Sequence, residues 1–131
     1  MDVNGKTCLI IEDDPDDQEI FMLALKQTGA SFHCVFTNNG LEALSSLNEN
    51  YFHPDYIFID LNMPKLNGLQ CLVEIRKHPD HLNTPVVIYS TSSEDIYINH
   101  AMGLGASAFI TKPSSIPLLA DALSSFFHSY K

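Results

Sequence analysis

The chain has 131 residues, too few for two ordinary domains and enough to bury a core without disulfide or metal staples. Seven Lys and Arg against 16 Asp and Glu give a formal charge of -9, which disfavours nucleic acid and anionic membrane as direct partners and favours proteins or cations. Cys8, Cys34 and Cys71 are far apart, odd in number and set in apolar segments, so neither a disulfide framework nor a zinc site is indicated.

Met1 to Lys6 has no apolar signal core and no run approaches a membrane span, so a soluble, cytoplasmic protein is expected. Short apolar stretches alternate with longer amphipathic segments. The first strand, Thr7 to Ile11, runs straight into Glu12, Asp13 and Asp14. A helix follows from Pro15 to Thr28, with Pro15 suited to its first turn, Asp16, Asp17 and Glu19 near the positive end of its dipole, and Gly29 placed to close it. His33 to Thr37 reads as the second strand and Gly40 to Glu49 as the second helix. Tyr56 to Asp60 is apolar up to its final aspartate, and Asn67 to Lys77 is helical. Pro85 to Ser90, Glu94 to Gly103, Ala108 to Thr111 and Ile116 to Ser129 complete the alternation, with Ser93 and Ser115 as helix caps.

This is the pattern of an α/β fold, a doubly wound five-stranded parallel sheet flanked by five helices. The first, third and fourth strands are nearly continuous apolar runs and are expected at its centre. A single domain over 1–131 is expected, with no output module.

In a parallel sheet the strand C-termini converge on one crevice. Glu12, Asp13, Asp14, Asp60 and Lys112 are therefore delivered to a single edge. Their mutual repulsion is relieved by a hard cation such as Mg2+, and the lysine suits a phosphate or acyl phosphate. Taken alone, the acidic triplet reads first as a flank that stabilises the next helix. Asp60 is harder to explain in that way, because a carboxylate ending so apolar a strand is costly without a cation beside it. Pro64 and Gly68 fix a tight loop after it. Lys112 is either a solvated strand-end lysine or one aimed by a cis Lys112–Pro113 bond. Ser90 and Thr91 are strand-end hydrogen bonders or phosphate sensors. His78 and His81 read as solvated residues about a turn, and Gly103-Leu104-Gly105 as a helix end rather than a dinucleotide signature.

The constellation of Glu12-Asp13-Asp14, Asp60-Leu61-Asn62-Met63-Pro64 with Gly68, Ser90-Thr91, Gly105-Ala106 and Lys112-Pro113 resembles the receiver domain of two-component response regulators, especially the stand-alone chemotaxis-like type, with its flavodoxin-like fold. The resemblance spans nearly the whole chain. It implies that Asp60 accepts a phosphoryl group from a histidine kinase or phosphotransfer protein. It casts Asp13, Asp14 and Asp60 with the backbone carbonyl of Asn62 as ligands of Mg2+ or Mn2+, with Glu12 behind them through water. Lys112 would pair with the phosphoryl oxygens. Ser90 would hydrogen-bond one of them, and Phe109 would rotate inward in response; Asn62 and Ser92 would flank the path of hydrolytic water.

Signalling would then run through binding of a downstream protein, with no enzymatic activity beyond self-phosphorylation and slow self-dephosphorylation. Two rivals are a receiver-like binding module that acts without phosphorylation and a Mg2+-dependent aspartyl-phosphate phosphatase. Such phosphatases place a second aspartate two residues after the first, where this chain has Asn62. On the fifth helix, Ile116, Leu119, Ala120, Leu123 and Phe127 form a core stripe. Leu118, Ala122, Phe126 and Tyr130 form a second apolar row, expected to be exposed and to support a homodimer or partner contact through the fourth helix, fifth strand and fifth helix.

Overall fold

A computed structural model describes residues 4–61, 63, 66–92 and 94–129. Five strands, β1 (Thr7–Ile11), β2 (His33–Thr37), β3 (Tyr56–Asp60), β4 (Val86–Ser90) and β5 (Ala108–Thr111), form one parallel sheet in the order β2-β1-β3-β4-β5. The helices are α1 (Pro15–Gln27), α2 (Gly40–Leu47), α3 (Gly68–Lys77), α4 (Asp95–Gly103) and α5 (Ile116–Ser129). The chain starts at β1, winds outward to β2 and then returns past β1 to β3. The two halves therefore diverge between β1 and β3, and a crevice opens at their C-terminal ends. Among the described residues no helix is long and apolar enough to cross a membrane.

Alternation along the strands builds two cores. Cys8, Ile10, Phe58, Val87, Tyr89 and Ile110 face α1 and α5, where Phe21, Leu123 and Phe127 meet them. Leu9, Ile11, Ile57, Ile59, Val86 and Ile88 face α2, α3 and α4, packing on Ala43, Leu72, Ile75 and Ala101. Every residue of β3 and β4 is buried, whereas β2 and β5 lie at the edges and are partly open. The three cysteines are free thiols; burial pushes Cys71 up to about 12 and Cys8 higher still.

The helix ends follow their side chains. Asn67 and Gln70 form a reciprocal capping box at α3. Ser115 Oγ accepts from the Leu118 amide at the start of α5, whereas Ser93 lies outside the described residues. Gly29 takes φ 85°, beyond the end of α1. Arg76 ties the lower edge of the sheet together. Its Nη1 donates to the carbonyls of His81 (2.9 Å) and Thr84 (2.6 Å), and Nε (3.0 Å) and Nη2 (2.8 Å) both reach that of Gly105.

Three expectations are corrected. Phe126 is not on an exposed row: it is buried, edge-on to Tyr56 and Phe58 at 6.0 Å each. Consecutive Phe126 and Phe127 both enter the core because α5 lies over Tyr56 and Phe58, which both rings contact, so two neighbouring helical positions face the sheet. Ala122 packs against the same cluster, Leu118 stays 51% exposed, and Tyr130 lies outside the described residues. Among the described residues no peptide bond is cis, Lys112–Pro113 included.

The third correction is His81, which is only 2% exposed because a 3-10 turn, Pro79–His81, folds its ring inward, with Nδ1 3.0 Å from Thr84 Oγ1. Burial, then the neighbouring His78, lowers its pKa. The unfolded chain takes up a proton near pH ~6.5 that the native state resists, so this contribution to stability is present above that pH and is lost as pH falls. The urea midpoint is expected to fall more between about pH 7.5 and about pH 5.5 for the native sequence than for His81→Gln. Equal falls would contradict the assignment.

Candidate functional site

The same alternation that buries Ile10 and Phe58 on the α1 and α5 face carries Glu12 and Asp60 to that face at the strand ends. In register, Asp60 stands opposite Tyr89, and Ser90 opposite Thr111. The Tyr89 carbonyl accepts from the Leu61 amide at 3.1 Å, and the Ser90 carbonyl from the Lys112 amide at 2.6 Å. β4 thus fixes the residue after Asp60 and the lysine with adjacent carbonyls.

Glu12, Asp13 and Asp60 each offer a carboxylate oxygen, all within 4.8 Å of one another. Glu12 is fully buried and Asp60 is 6% exposed, while Asp13 opens to solvent. Hard oxygen donors suit Mg2+, which at bond lengths of ~2.0–2.1 Å keeps octahedral ligand oxygens about 3 to 4 Å apart and retains several waters. The two buried carboxylates beside one solvent-facing carboxylate fit such an ion.

Asp14 does not join this cluster. Its Oδ1 accepts from the amides of Asp16 (2.8 Å) and Asp17 (3.3 Å), making it the N-cap of α1. The physical reason is the proline: Pro15 occupies the first helical position, so the preceding residue is the cap and its carboxylate turns back to the orphan amides. Glu12, expected in a supporting place, takes the inner one. Its Oε1 is 3.2 Å from Lys112 Nζ and 3.0 Å from Tyr89 Oη, and its Oε2 accepts from the Asp14 amide at 3.2 Å.

Lys112 Nζ also lies 3.3 Å from Asp17 Oδ2 and 3.5 Å from Asp60 Oδ1. Burial pushes the Glu12 carboxyl up to about 7, with Asp60 adding to the rise and Lys112 opposing it. Burial by itself lowers the Lys112 ammonium, but Asp60 and Glu12 outweigh it and hold it above the usual lysine range.

Ser90 is fully buried, and its Oγ accepts from the Ser92 amide at 3.1 Å. Alternation puts Ser90 on the sheet face of Ile88 and Phe109, which are themselves register partners. Phe109 is half-buried against the α3 and α4 core. Ser92 lines a cavity of about 340 Å³ with Leu61, Asn67, Leu69, Glu94 and Tyr97. The Asn62 carbonyl lies outside the described residues. Asp17, read from the sequence as part of a solvated helix start, instead pairs with Lys112, and Tyr89 was missed as a site residue; a phenol in an otherwise apolar buried strand was the available signal, since its hydroxyl needs a partner.

A family model described as the response regulator receiver domain matches residues 8–124. The chain belongs to that family. A CpxR homologue from Haemophilus influenzae, a transcriptional regulatory protein, is 39% identical over 105 residues; they cover 80% of this chain but only 43% of that regulator. The response regulator Rcp1 of Synechocystis is 29% identical over 116 residues, 85% of this receiver and 79% of Rcp1. Among solved structures, the phosphorylated cyanobacterial phytochrome response regulator RcpA is 29% identical with a TM-score of 0.85, covering 96% of this chain and 94% of its own. The Mn2+-bound form of Rcp1 is 27% identical with a TM-score of 0.80, covering 95% and 93%.

Proposed function

We propose that this receiver is a phosphorylation-driven switch in which Asp60 accepts a phosphoryl group from a histidine kinase or phosphotransfer protein. The observation that carries the reading is the position of Asp60, 3.5 Å from the Lys112 ammonium and inside the Glu12 and Asp13 carboxylate cluster. An Asp60 carboxylate oxygen forms the new P–O bond as the P–N bond to the donor imidazole breaks. The electron pair leaves on nitrogen, which takes a proton from solvent. Transfer of this kind needs positioning and charge neutralisation more than covalent assistance. Lys112 neutralises phosphoryl oxygens, and Glu12 with Asp13 and Asp60 would hold Mg2+ or Mn2+. When bound, that ion supplies compensation for the charge shared by carboxylates and phosphoryl group.

The Ser90 hydroxyl, now turned to the Ser92 amide, is the group that would turn to a new phosphoryl oxygen, and Phe109 on the same face would follow it. The downstream protein, or a second copy of the chain, would read the change through α4 and α5, where Ile96 (71%), Tyr97 (42%) and Leu118 (51%) are exposed. Activity is confined to accepting the phosphoryl group and losing it slowly to water.

Incubation with a small acyl phosphate is expected to add one phosphoryl group per chain by intact mass, only with a divalent cation and not in Asp60→Asn. Uptake at an unchanged rate in Asp60→Asn would overturn the nucleophile; turnover of simple phosphate monoesters would favour a phosphatase.

A further inference from the structure

We infer that Tyr89 is a positioning residue for Lys112, holding the ammonium beside Asp60 by satisfying Glu12 in its place; the inference rests on Asp60 being the phosphoacceptor. Glu12 Oε1 has two donors, Tyr89 Oη at 3.0 Å and Lys112 Nζ at 3.2 Å. A carboxylate with no solvent exposure draws strongly on whatever cation is near, because water cannot compensate it. With the phenol occupying one lone pair, that draw on Lys112 is weaker.

The ring gives the lysine a second attraction, since Nζ stands 4.8 Å from the Tyr89 centroid. Packing fixes the ring: Phe21 lies 5.4 Å away, and its backbone is locked opposite Asp60 by the β3 and β4 register. One side chain therefore sets both ends of the contest for Lys112. A leucine or valine would fill the same core position and do neither.

The test compares Tyr89→Phe, Glu12→Gln and the double variant for the rate of phosphorylation by acetyl phosphate at saturating Mg2+, with melting temperatures measured alongside. Tyr89→Phe is expected to slow uptake about fivefold, a coupling typical of side chains sharing one network, and to change it less than about twofold once Glu12 is Gln. The same loss in both backgrounds indicates packing alone and overturns the inference, as does an unchanged rate in Tyr89→Phe. If the native protein takes up no phosphoryl group, the reading of Asp60 fails and this inference fails with it; uptake by the native protein with no Tyr89 effect removes the inference alone. A variant-free measurement stands beside these: the Lys112 ε-methylene protons should be shifted upfield by the Tyr89 ring current in the native protein, and ordinary lysine shifts would overturn the placement even if Tyr89→Phe fails to fold.

Discussion

Gly68→Ala is expected to damage both stability and phosphorylation, although Gly68 is the first residue of α3 and alanine is the better helix former. A Cβ there would stand 2.5 Å from the Asp60 carbonyl oxygen and 2.8 Å from Leu61 Cα. Both are backbone atoms, and neither can swing aside as a side chain can. The Gly68 amide also donates to the Leu61 carbonyl at 3.0 Å, so the loop closes on itself at this point. Either α3 moves outward or the end of β3 moves, and the second displaces the Asp60 carboxylate from Lys112. A cost of about 2–3 kcal/mol is expected, in the range for overpacking a tight site. Uptake from a small acyl phosphate should fall at least about tenfold, since misplacement by about 1 Å is enough for such losses. Native-like stability with native-like uptake would show that the glycine serves only the turn.

Lys112→Ala is expected to show a cost that grows with pH. Glu12 has its folded pKa raised above the ordinary carboxylate value, so the stability tied to its neutral form is complete below pH ~4.5 and is lost as pH rises through about 7. Lys112 opposes that rise in the native protein. Without it the folded pKa climbs further, and each step toward neutral pH forces a charge onto a buried group that has lost its cation. In metal-free buffer the variant should lose about 1 kcal/mol near pH 5 and about 3 kcal/mol near pH 8, the latter typical of a buried charge stripped of its partner. Urea midpoints at the two pH values measure this, and a gap that does not widen would contradict the account.

The five strands and five helices were legible because apolar runs, prolines, glycines and capping residues agreed with one another. The departures are small. Pro85 lies just outside β4 yet its carbonyl accepts from Ile57 at 2.9 Å, and α2 ends at Leu47 rather than Glu49. Asp13, Asp60 and Lys112 were legible as a cluster because each stands at, or within two residues beyond, the end of a strand. The exchange between Glu12 and Asp14 was readable in principle: Pro15 at the first helical position commits Asp14 to capping, and the alternation Cys8, Ile10, Glu12 carries Glu12 inward. Burial of Phe126 and His81 depends on how α5 and the 3-10 turn pack, and the partner of the Tyr89 hydroxyl on the strand order that sets β4 two strands from β1. Such contacts join residues distant in the chain, as in the 77-residue span from Glu12 to Tyr89, so a local pattern such as a phenol in an apolar strand signals the need for a partner without naming it.

The most direct test of Asp60 as the phosphoacceptor is hydride trapping. Protein treated with a small acyl phosphate and Mg2+ is reduced with borohydride, which converts an aspartyl phosphate to homoserine, and is then digested and sequenced by mass spectrometry. Homoserine is expected at position 60 in the Mg2+-treated sample and at no position when the cation is chelated. Homoserine at Asp13, Asp14 or Asp17 instead, or none at any position, would contradict the assignment of Asp60.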